Sequence, residues 1–141
     1  MGTRRRGREL ALQALYQMEV AEPGSSASAR DLWRHFGEPE EAQRFAAELV
    51  EGVLEHRERI DALIVASSEH WRLSRLPQVD RNILRVATYE LLGRPDVPAT
   101  VAIDEAIEIA KRFGSDESSQ FVNGVLDHIA ASLGARAPGP P

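Results

Sequence analysis

Apolar residues recur at helical spacing along almost the whole of this 141-residue chain. The first such segment places five of them on one side of a helix: Leu10, Ala11, Ala14, Leu15 and Met18. Charged, amide and phenolic side chains occupy the opposite side, as in a helix that buries one face. The nearest approach to a strand pattern is the short run 65–67, and it is weak. The periodicity therefore predicts an all-α protein.

Glycine and proline residues divide the rest of the chain into separate helices. Residues 22–29 form a loop by composition, and the short helix that follows them ends at Gly37 and Pro39. A long amphipathic stretch then runs over residues 40–71. A further helix is predicted over residues 79–92, because apolar side chains recur there at helical spacing.

Two more helices are predicted near the C-terminus. Thr100 is the expected N-cap of a helix over residues 101–113, with Gly114 at its C′ position. The turn 115–118 offers hydroxyl and carboxylate oxygens that can cap a last helix. We therefore expect a bundle of about six or seven helices.

The composition is that of a soluble globular protein, with 43% hydrophobic and 28% charged residues. We expect a single helical domain over residues 1–134, followed by a disordered Pro/Gly tail over residues 135–141. No apolar run approaches the ~20 residues of a membrane helix, and no secretory signal is evident. The absence of cysteine excludes disulfides and thiolate ligands. We therefore expect a cytoplasmic protein that does not enter a membrane.

Four arginines stand at the front of an acidic chain: Arg4, Arg5, Arg6 and Arg8. The first eight positions hold no acidic residue, although the whole chain has a net charge of −5. Cations near a helix N-terminus oppose the helix dipole at a cost of about 0.3–1 kcal/mol each, so helix stability does not explain them. A polyanion does, because guanidinium forks bind phosphate in bidentate fashion. The alternative interpretation is a solvated N-terminal tail.

The sequence argues against a metal site or a catalytic site. A di-iron bundle needs Glu-x-x-His pairs, and none of the four histidines has a carboxylate three positions before it. Asp104, Glu105 and Glu108 have no acid/base partner at helical spacing, which is typical of a solvated face. No phosphate loop, dinucleotide fingerprint or nucleophile elbow occurs. We expect no enzymatic activity and no cofactor.

Several separate segments carry a family resemblance. They span residues 79–91, 96–98, 101–106, 110–114 and 121–127, and they add to the arginine cluster and to Gln13-Ala-Leu-Tyr16. In this order and spacing they resemble the NusB family of bacterial transcription antitermination factors. The likeness covers almost the whole chain and is strongest over residues 79–127.

The resemblance implies a fold and a set of partners. The fold is a helical bundle built from two three-helix halves. The function is binding of a single-stranded RNA element, boxA, in company with the ribosomal protein NusE. Together they help to assemble an antitermination complex on RNA polymerase, notably at ribosomal RNA operons. The family has no known enzymatic activity.

The resemblance also assigns roles to residues. Arg4, Arg5, Arg6 and Arg8 match an arginine-rich motif credited with RNA contacts. Other matching positions near the RNA are Phe113, Glu117 and Phe121, and the NusE-facing positions are Tyr16, Asp80 and Glu117. Gln120 and Thr100 replace basic residues of relatives, although Lys111 and Arg112 keep positive charge near the RNA positions.

The chemistry of RNA recognition also indicates that the polar side of the first helix binds RNA. Single-stranded RNA is bound by a basic track for its backbone and by aromatic or guanidinium planes for its bases. The polar side of the first helix offers guanidinium groups together with the amide of Gln13 and the ring of Tyr16. Some positions have structural alternatives, because Phe121 can be mainly a core residue and Asp80 can be a helix N-cap.

Two other functions remain open from the sequence. The same bundle precedes the catalytic domain of certain rRNA cytosine methyltransferases, but that interpretation requires a downstream cofactor-binding domain, which we do not expect after the tail. A protein-interaction bundle with a disordered arginine segment is the other alternative. The sequence does not distinguish a monomer from a homodimer.

Overall fold

A computed structural model describes residues 2–20, 29–68 and 73–134 of the chain. Those residues form seven α-helices and one short 3₁₀ turn, and they contain no strand. The helices are α1 (Thr3–Val20), α2 (Ala29–His35), α3 (Glu40–Glu55), α4 (Arg57–Ser67), α5 (Gln78–Gly93), α6 (Ala99–Phe113) and α7 (Ser118–Leu133), and the turn is Leu73–Arg75. The predicted all-α class is therefore confirmed.

The helices form two groups of three. Helices α1, α2 and α3 pack on one another, and α5, α6 and α7 form the second group. Helix α4 links the groups and lies against α5 and α7, while α1 and α3 also contact α5. The prediction of two three-helix halves is confirmed. One continuous apolar core joins them, and its largest fully buried hydrophobic side chains are Leu10, Leu49, Ile60, Ile64, Leu84, Leu126 and Ile129.

The predicted amphipathic stretch over 40–71 is two helices rather than one. Helix α3 ends at Glu55 and α4 begins at Arg57, with His56 between them at φ −108° and ψ 21°. The Tyr89 ring of α5 causes tight packing here: it occupies the space where a Cβ of Gly52 would lie, at 2.1 Å, and it stacks on His56. Periodicity alone could not show this break, because the apolar spacing continues across it.

Two other boundaries differ from expectation. Helix α6 begins at Ala99, and its N-cap is Pro98, whose carbonyl accepts hydrogen bonds from the backbone N–H groups of Val101 and Ala102. Thr100 is therefore not the cap. Met18 was expected on the core side of α1 but is exposed, because the last turn of that helix extends beyond the core.

Some predictions fall outside the described residues. They concern the loop at 22–28, the end of the amphipathic stretch at 69–71 and the tail over 135–141, so the division of the chain into domain and tail stays a prediction. Within the part that the structure describes, no helix combines the length and the apolar character needed to cross a bilayer.

Candidate nucleic-acid interface

The four N-terminal arginines belong to α1, which begins at Thr3, and are not a solvated tail. Each guanidinium pairs with a carboxylate that is distant in sequence, at Asp96, Glu105, Glu38 or Glu90. Ion pairs with distant carboxylates therefore give these arginines a role in folding that the stability of α1 alone does not explain. The partners lie 32 to 100 residues away along the chain, so no local pattern could reveal them.

Arg8 lies in the core. It is 4% exposed, and its Nε and Nη2 atoms donate to the carboxylate of Glu90, itself 1% exposed, at 3.0 and 2.7 Å. A buried carboxylate needs such a partner, since removing one member of a buried pair typically costs about 3–5 kcal/mol. Arg8 therefore has little surface to offer RNA, its RNA contact stays a prediction, and we assign Arg8 to the packing of α1 on α5.

Arg5 joins α1 to α6. Its Nε and Nη2 atoms donate to the two carboxylate oxygens of Glu105, each at 2.8 Å. These hydrogen bonds raise the pKa of Arg5 and lower the pKa of the Glu105 carboxyl from its ordinary value of 4.5. The bidentate pair uses one edge of the guanidinium. Its other edge, formed by Nη1 and Nη2, keeps hydrogens that can bind a second acceptor such as a phosphate.

All three guanidinium nitrogens of Arg6 donate hydrogen bonds to carboxylates, whereas only two of those of Arg5 do so. Its Nε and Nη2 atoms donate to Glu38 at 2.8 and 2.5 Å, and its Nη1 donates to Glu9 at 3.0 Å. Glu9 also accepts a hydrogen bond from Arg112 at 2.8 Å, so an alternating chain of charges runs from the α2–α3 connection across α1 to α6. Hydrogen bonding to Arg6 lowers the pKa of the Glu38 carboxyl from 4.5. A phosphate must compete with Glu38 for this guanidinium.

Arg4 lies at the edge of the group. Its Nη2 donates to Asp96 at 2.9 Å, and Asp96 is also bound by Arg94. The Arg4 guanidinium lies 4.8 Å from the centre of the Phe45 ring. Half of the Arg4 side chain remains exposed, which leaves it accessible to a phosphate.

An open groove of about 290 Å³ lies beside Arg6, between α1, the first turn of α5 and the end of α6. Its lining residues are Arg6, Glu9, Leu12, Gln13, Tyr16, Gln78, Val79, Asn82 and Phe113. The structure thus brings together four predicted RNA or partner residues. Tyr16 and Phe113 are 50% and 49% exposed, so both rings can meet a ligand.

The basic surface continues from α1 onto the last turn of α6. Arg5, Lys111 and Arg112 line one side of a second depression, together with Glu9 and Glu108. The guanidinium of Arg112 lies 5.2 Å from the centre of the Phe113 ring, so charge and an aromatic plane are adjacent. We call Arg4, Arg5, Arg6, Lys111 and Arg112, which are exposed or partly exposed, the basic face.

The remaining predicted positions divide between surface and interior. Glu117 is exposed, whereas Phe121 is half-buried and packs against the core, in line with its structural alternative. Asp80 is 5% exposed and accepts a hydrogen bond from Ser118 at 2.7 Å. The Asp80 side chain points into the protein and keeps little surface for a partner, so its contact with NusE stays a prediction. The N-cap alternative is wrong, since Pro77 caps α5.

The α5 side of the groove was not predicted from the sequence. Asn82 donates to Glu19 at 2.9 Å, which joins α5 to the end of α1, and it accepts from Arg85 of its own helix at 3.3 Å. Burial is the largest influence on Glu19 and raises its pKa, but hydrogen bonds from Asn82 and Arg81 outweigh it, so the pKa is lowered. Among the residues that the structure describes, no group of three or more potential ligands could hold a metal ion.

Comparison with known proteins gives a consistent result. A family model described as the NusB family matches residues 5–131. The transcription antitermination protein NusB of Myxococcus xanthus is 50% identical over 137 residues, which cover 94% of this chain and 98% of the relative. That of Geobacter sulfurreducens is 50% identical over 135 residues, covering 94% and 97%.

Solved structures show the same likeness. T. maritima NusB superposes with a TM-score of 0.79 at 42% identity, covering 96% of this chain and 93% of that one. A complex of the antitermination factors NusB and NusE with dsRNA contains a chain with a TM-score of 0.79 at 25% identity. That alignment covers 94% of this chain and 98% of the other.

Proposed function

Because the chain belongs to the NusB family, we propose that it is a transcription antitermination factor that binds boxA RNA together with NusE. In this function it helps to assemble an antitermination complex on RNA polymerase at ribosomal RNA operons, which places it in the cytoplasm. The relatives that match over nearly their full length are named for transcription antitermination and not for methyl transfer. The complex of NusB and NusE with dsRNA supports the two partners.

The basic face carries the proposal, because it is the exposed cationic surface that adjoins two exposed aromatic rings. Arg4, Arg5 and Arg6 bind backbone phosphates, and Lys111 and Arg112 extend the track along α6. The rings of Tyr16 and Phe113 offer planes on which unstacked bases can pack. Cationic side chains that bind the RNA backbone, together with rings on which bases stack, are typical of proteins that bind single-stranded RNA.

The other positions have supporting roles. Gln13 offers an amide to a base edge or a sugar at the rim of the groove. The exposed ends of Tyr16 and Glu117 face NusE, a contact in which an acidic side chain complements a basic ribosomal protein. Phe121 supports the RNA-binding turn from the core side and offers at most the edge of its ring.

Salt dependence tests the phosphate contacts. Five cationic contacts to a single strand, one for each residue of the basic face, give log K against log salt a slope of about −3.5, from roughly 0.7 per contact. Replacing Arg5 and Arg6 by Ala weakens binding and flattens that slope by about 1.4. The matched control replaces Arg57 and Arg59, two exposed arginines of α4, and leaves affinity and slope nearly unchanged. Equal slopes for both double variants contradict the proposal.

One titration series tests both the preference for single-stranded boxA RNA and the effect of NusE on RNA affinity. Labelled boxA RNA, a scrambled single strand and a boxA duplex are compared, because the related complex contains dsRNA. We expect the single strand of boxA sequence to bind best, and added NusE to tighten it further. Binding of NusE without any RNA affinity supports the protein-interaction alternative instead.

A further inference from the structure

A short hydrogen-bonded chain joins α5 to the turn between α6 and α7. Asp80 lies in the first turn of α5, and Ser118 is the first residue of α7. The Ser118 hydroxyl, 2% exposed, donates to Oδ1 of Asp80 at 2.7 Å and accepts from the backbone N–H of Ser115 at 2.9 Å. Both side chains are buried, so water competes little for these bonds.

The direction of these bonds is fixed by chemistry. A backbone N–H can only donate, so the Ser118 oxygen must accept from Ser115. Its single proton is then directed to Asp80, which must provide an acceptor. The Ser115 hydroxyl, 3.2 Å from the Ser118 oxygen, can add a second donor to it. Any side chain at position 80 with a well-placed oxygen acceptor preserves this arrangement, and an apolar one does not.

Ser118 also packs directly against Gly114, at the start of the same turn. A Cβ on Gly114 would lie 2.4 Å from the Ser118 hydroxyl oxygen and 2.9 Å from the Ala110 carbonyl oxygen. Gly114 has a φ of −96°, so close approach rather than a left-handed backbone accounts for the glycine. Phe113 immediately precedes this turn, and its ring direction therefore depends on how the turn is held.

The hydrogen bonds from Ser115 through Ser118 to Asp80 also connect two walls of the groove. Gln78 and Val79, in the same first turn of α5 as Asp80, line the groove opposite Phe113. Asp80 thus ties the α5 wall to the segment that carries the exposed aromatic ring.

We propose that Asp80 is a positioning residue for the RNA interface, which acts through Ser118 to set the orientation of Phe113. This role replaces a direct partner contact, for which Asp80 has too little exposed surface. The consequence for RNA rests on the proposed function, whereas the effect on the ring can be measured without RNA.

Fluorine NMR of the RNA-free protein tests the effect on the ring. The chain has four phenylalanines, so fluorophenylalanine labelling gives a small set of signals, and Phe113→Leu identifies that of Phe113. Asp80→Ala shifts or broadens the Phe113 signal, while Phe36 and Phe45, on the other half, serve as internal references. Asp80→Asn keeps an oxygen acceptor and leaves the spectrum as in the wild type. An unchanged Phe113 signal in Asp80→Ala, or equal changes in both variants, overturns the proposal.

RNA affinity supplies an independent measurement. Phe113→Ala weakens boxA binding at least about fivefold, the low end for stacking of one base on an aromatic ring. Asp80→Ala loses part of that affinity, Asp80→Asn recovers it, and Asp80→Ala in the Phe113→Ala background weakens binding no further. Asp127→Ala, at an exposed position of α7, is the matched control and leaves affinity unchanged.

The outcomes separate the two proposals. Multiplicative losses in the double variant, with Asp80→Asn as weak as Asp80→Ala, show that Asp80 affects RNA affinity independently of Phe113 and overturn the positioning role. If Phe113→Ala leaves RNA affinity unchanged while Asp80→Ala still moves the ring, the stacking role in the proposed function fails, and so does the RNA consequence of Asp80. Unfolding curves for each variant verify that the fold is retained.

Discussion

At the scale of single residues, four neighbouring arginines have two different roles. Arg8 neutralises Glu90 inside the protein, whereas Arg4, Arg5 and Arg6 are partly exposed and held by carboxylates at the surface. The sequence identified the cluster and its charge but could not separate Arg8 from the others. That separation depends on which side of α1 faces α5, and on a carboxylate 82 residues away.

Arg8→Ala is expected to destabilise the protein strongly, because it leaves the Glu90 charge buried without its partner. The free energy of unfolding falls by about 3–5 kcal/mol, measured by urea denaturation. Arg4→Ala, at an exposed pair, changes it by less than about 1 kcal/mol. Comparable small effects for both variants contradict the assignment of Arg8 to the core.

Glu38→Gln is expected to tighten RNA binding. The carboxylate occupies two nitrogens of Arg6 that a phosphate would otherwise use, and glutamine removes its charge while keeping its shape. A partly exposed pair is worth about 0.2–1 kcal/mol, which corresponds to a gain of about 1.4- to 5-fold in affinity. Glu58→Gln, at an exposed position of α4, controls for the change in net charge. Weaker binding by Glu38→Gln would show that Glu38 orients Arg6 productively instead of competing for it.

At the scale of elements, the positions of the helices can be predicted from the sequence more accurately than the residues at which they begin and end. Apolar spacing predicted α1, α6 and α7, since each buries one face. It also predicted α5, although that helix is buried on several sides because it packs against α1, α3, α4, α6 and α7. The break between α3 and α4 lies beside close packing of the Tyr89 ring on Gly52 and His56, which is a contact between helices rather than a property of either one. The groove wall on α5 was missed for the same reason.

Two glycine substitutions test the packing of Tyr89 on Gly52. Gly52→Ala places a methyl group against the Tyr89 ring and is expected to destabilise the fold by about 1–3 kcal/mol. Gly124→Ala, within α7, meets no atom within 4 Å and is expected to stabilise it by about 0.4–1 kcal/mol. Thermal unfolding of both variants measures the difference, and a Gly52→Ala protein as stable as Gly124→Ala would refute the packing argument.

Helix α1 is also tied to other elements by ion pairs that respond to pH. Hydrogen bonds from Arg5 and Arg6 lower the pKa values of Glu105 and Glu38 respectively. Hydrogen bonds from Arg94, and from Arg4 of α1, lower the pKa of Asp96. A carboxyl whose pKa is lower in the folded state stabilises the fold above its ordinary pKa of 4.5 or 3.8, and this stabilisation is lost as pH falls through the folded value.

The free energy of unfolding is therefore expected to decrease as pH falls below about 4.5. Arg5→Ala removes the first cause of the lowered pKa of Glu105, so the decrease becomes shallower in this variant. Urea denaturation at several pH values measures both slopes. An identical pH dependence in the wild type and Arg5→Ala would show that the Arg5–Glu105 pair does not contribute.

At the scale of the whole molecule, charge is distributed unevenly over two packed halves. The chain carries a net charge of −5, yet the basic face gathers cations from α1 of one half and α6 of the other. The family segments and the amphipathic pattern were sufficient to predict the bundle and this surface. They could not reveal that the arginines also stabilise the fold, because that requires the distant carboxylates to be placed in three dimensions.

The most direct test of the account is an NMR titration of the labelled protein with boxA RNA that follows the arginine Nε–H signals. We expect the signals of Arg5, Arg6 and Arg112 to shift on binding, and those of Arg8 in the core and Arg59 on α4 to stay in place. Shifts concentrated at Arg59, with the basic face unaffected, would contradict the claim that RNA binds across α1 and α6.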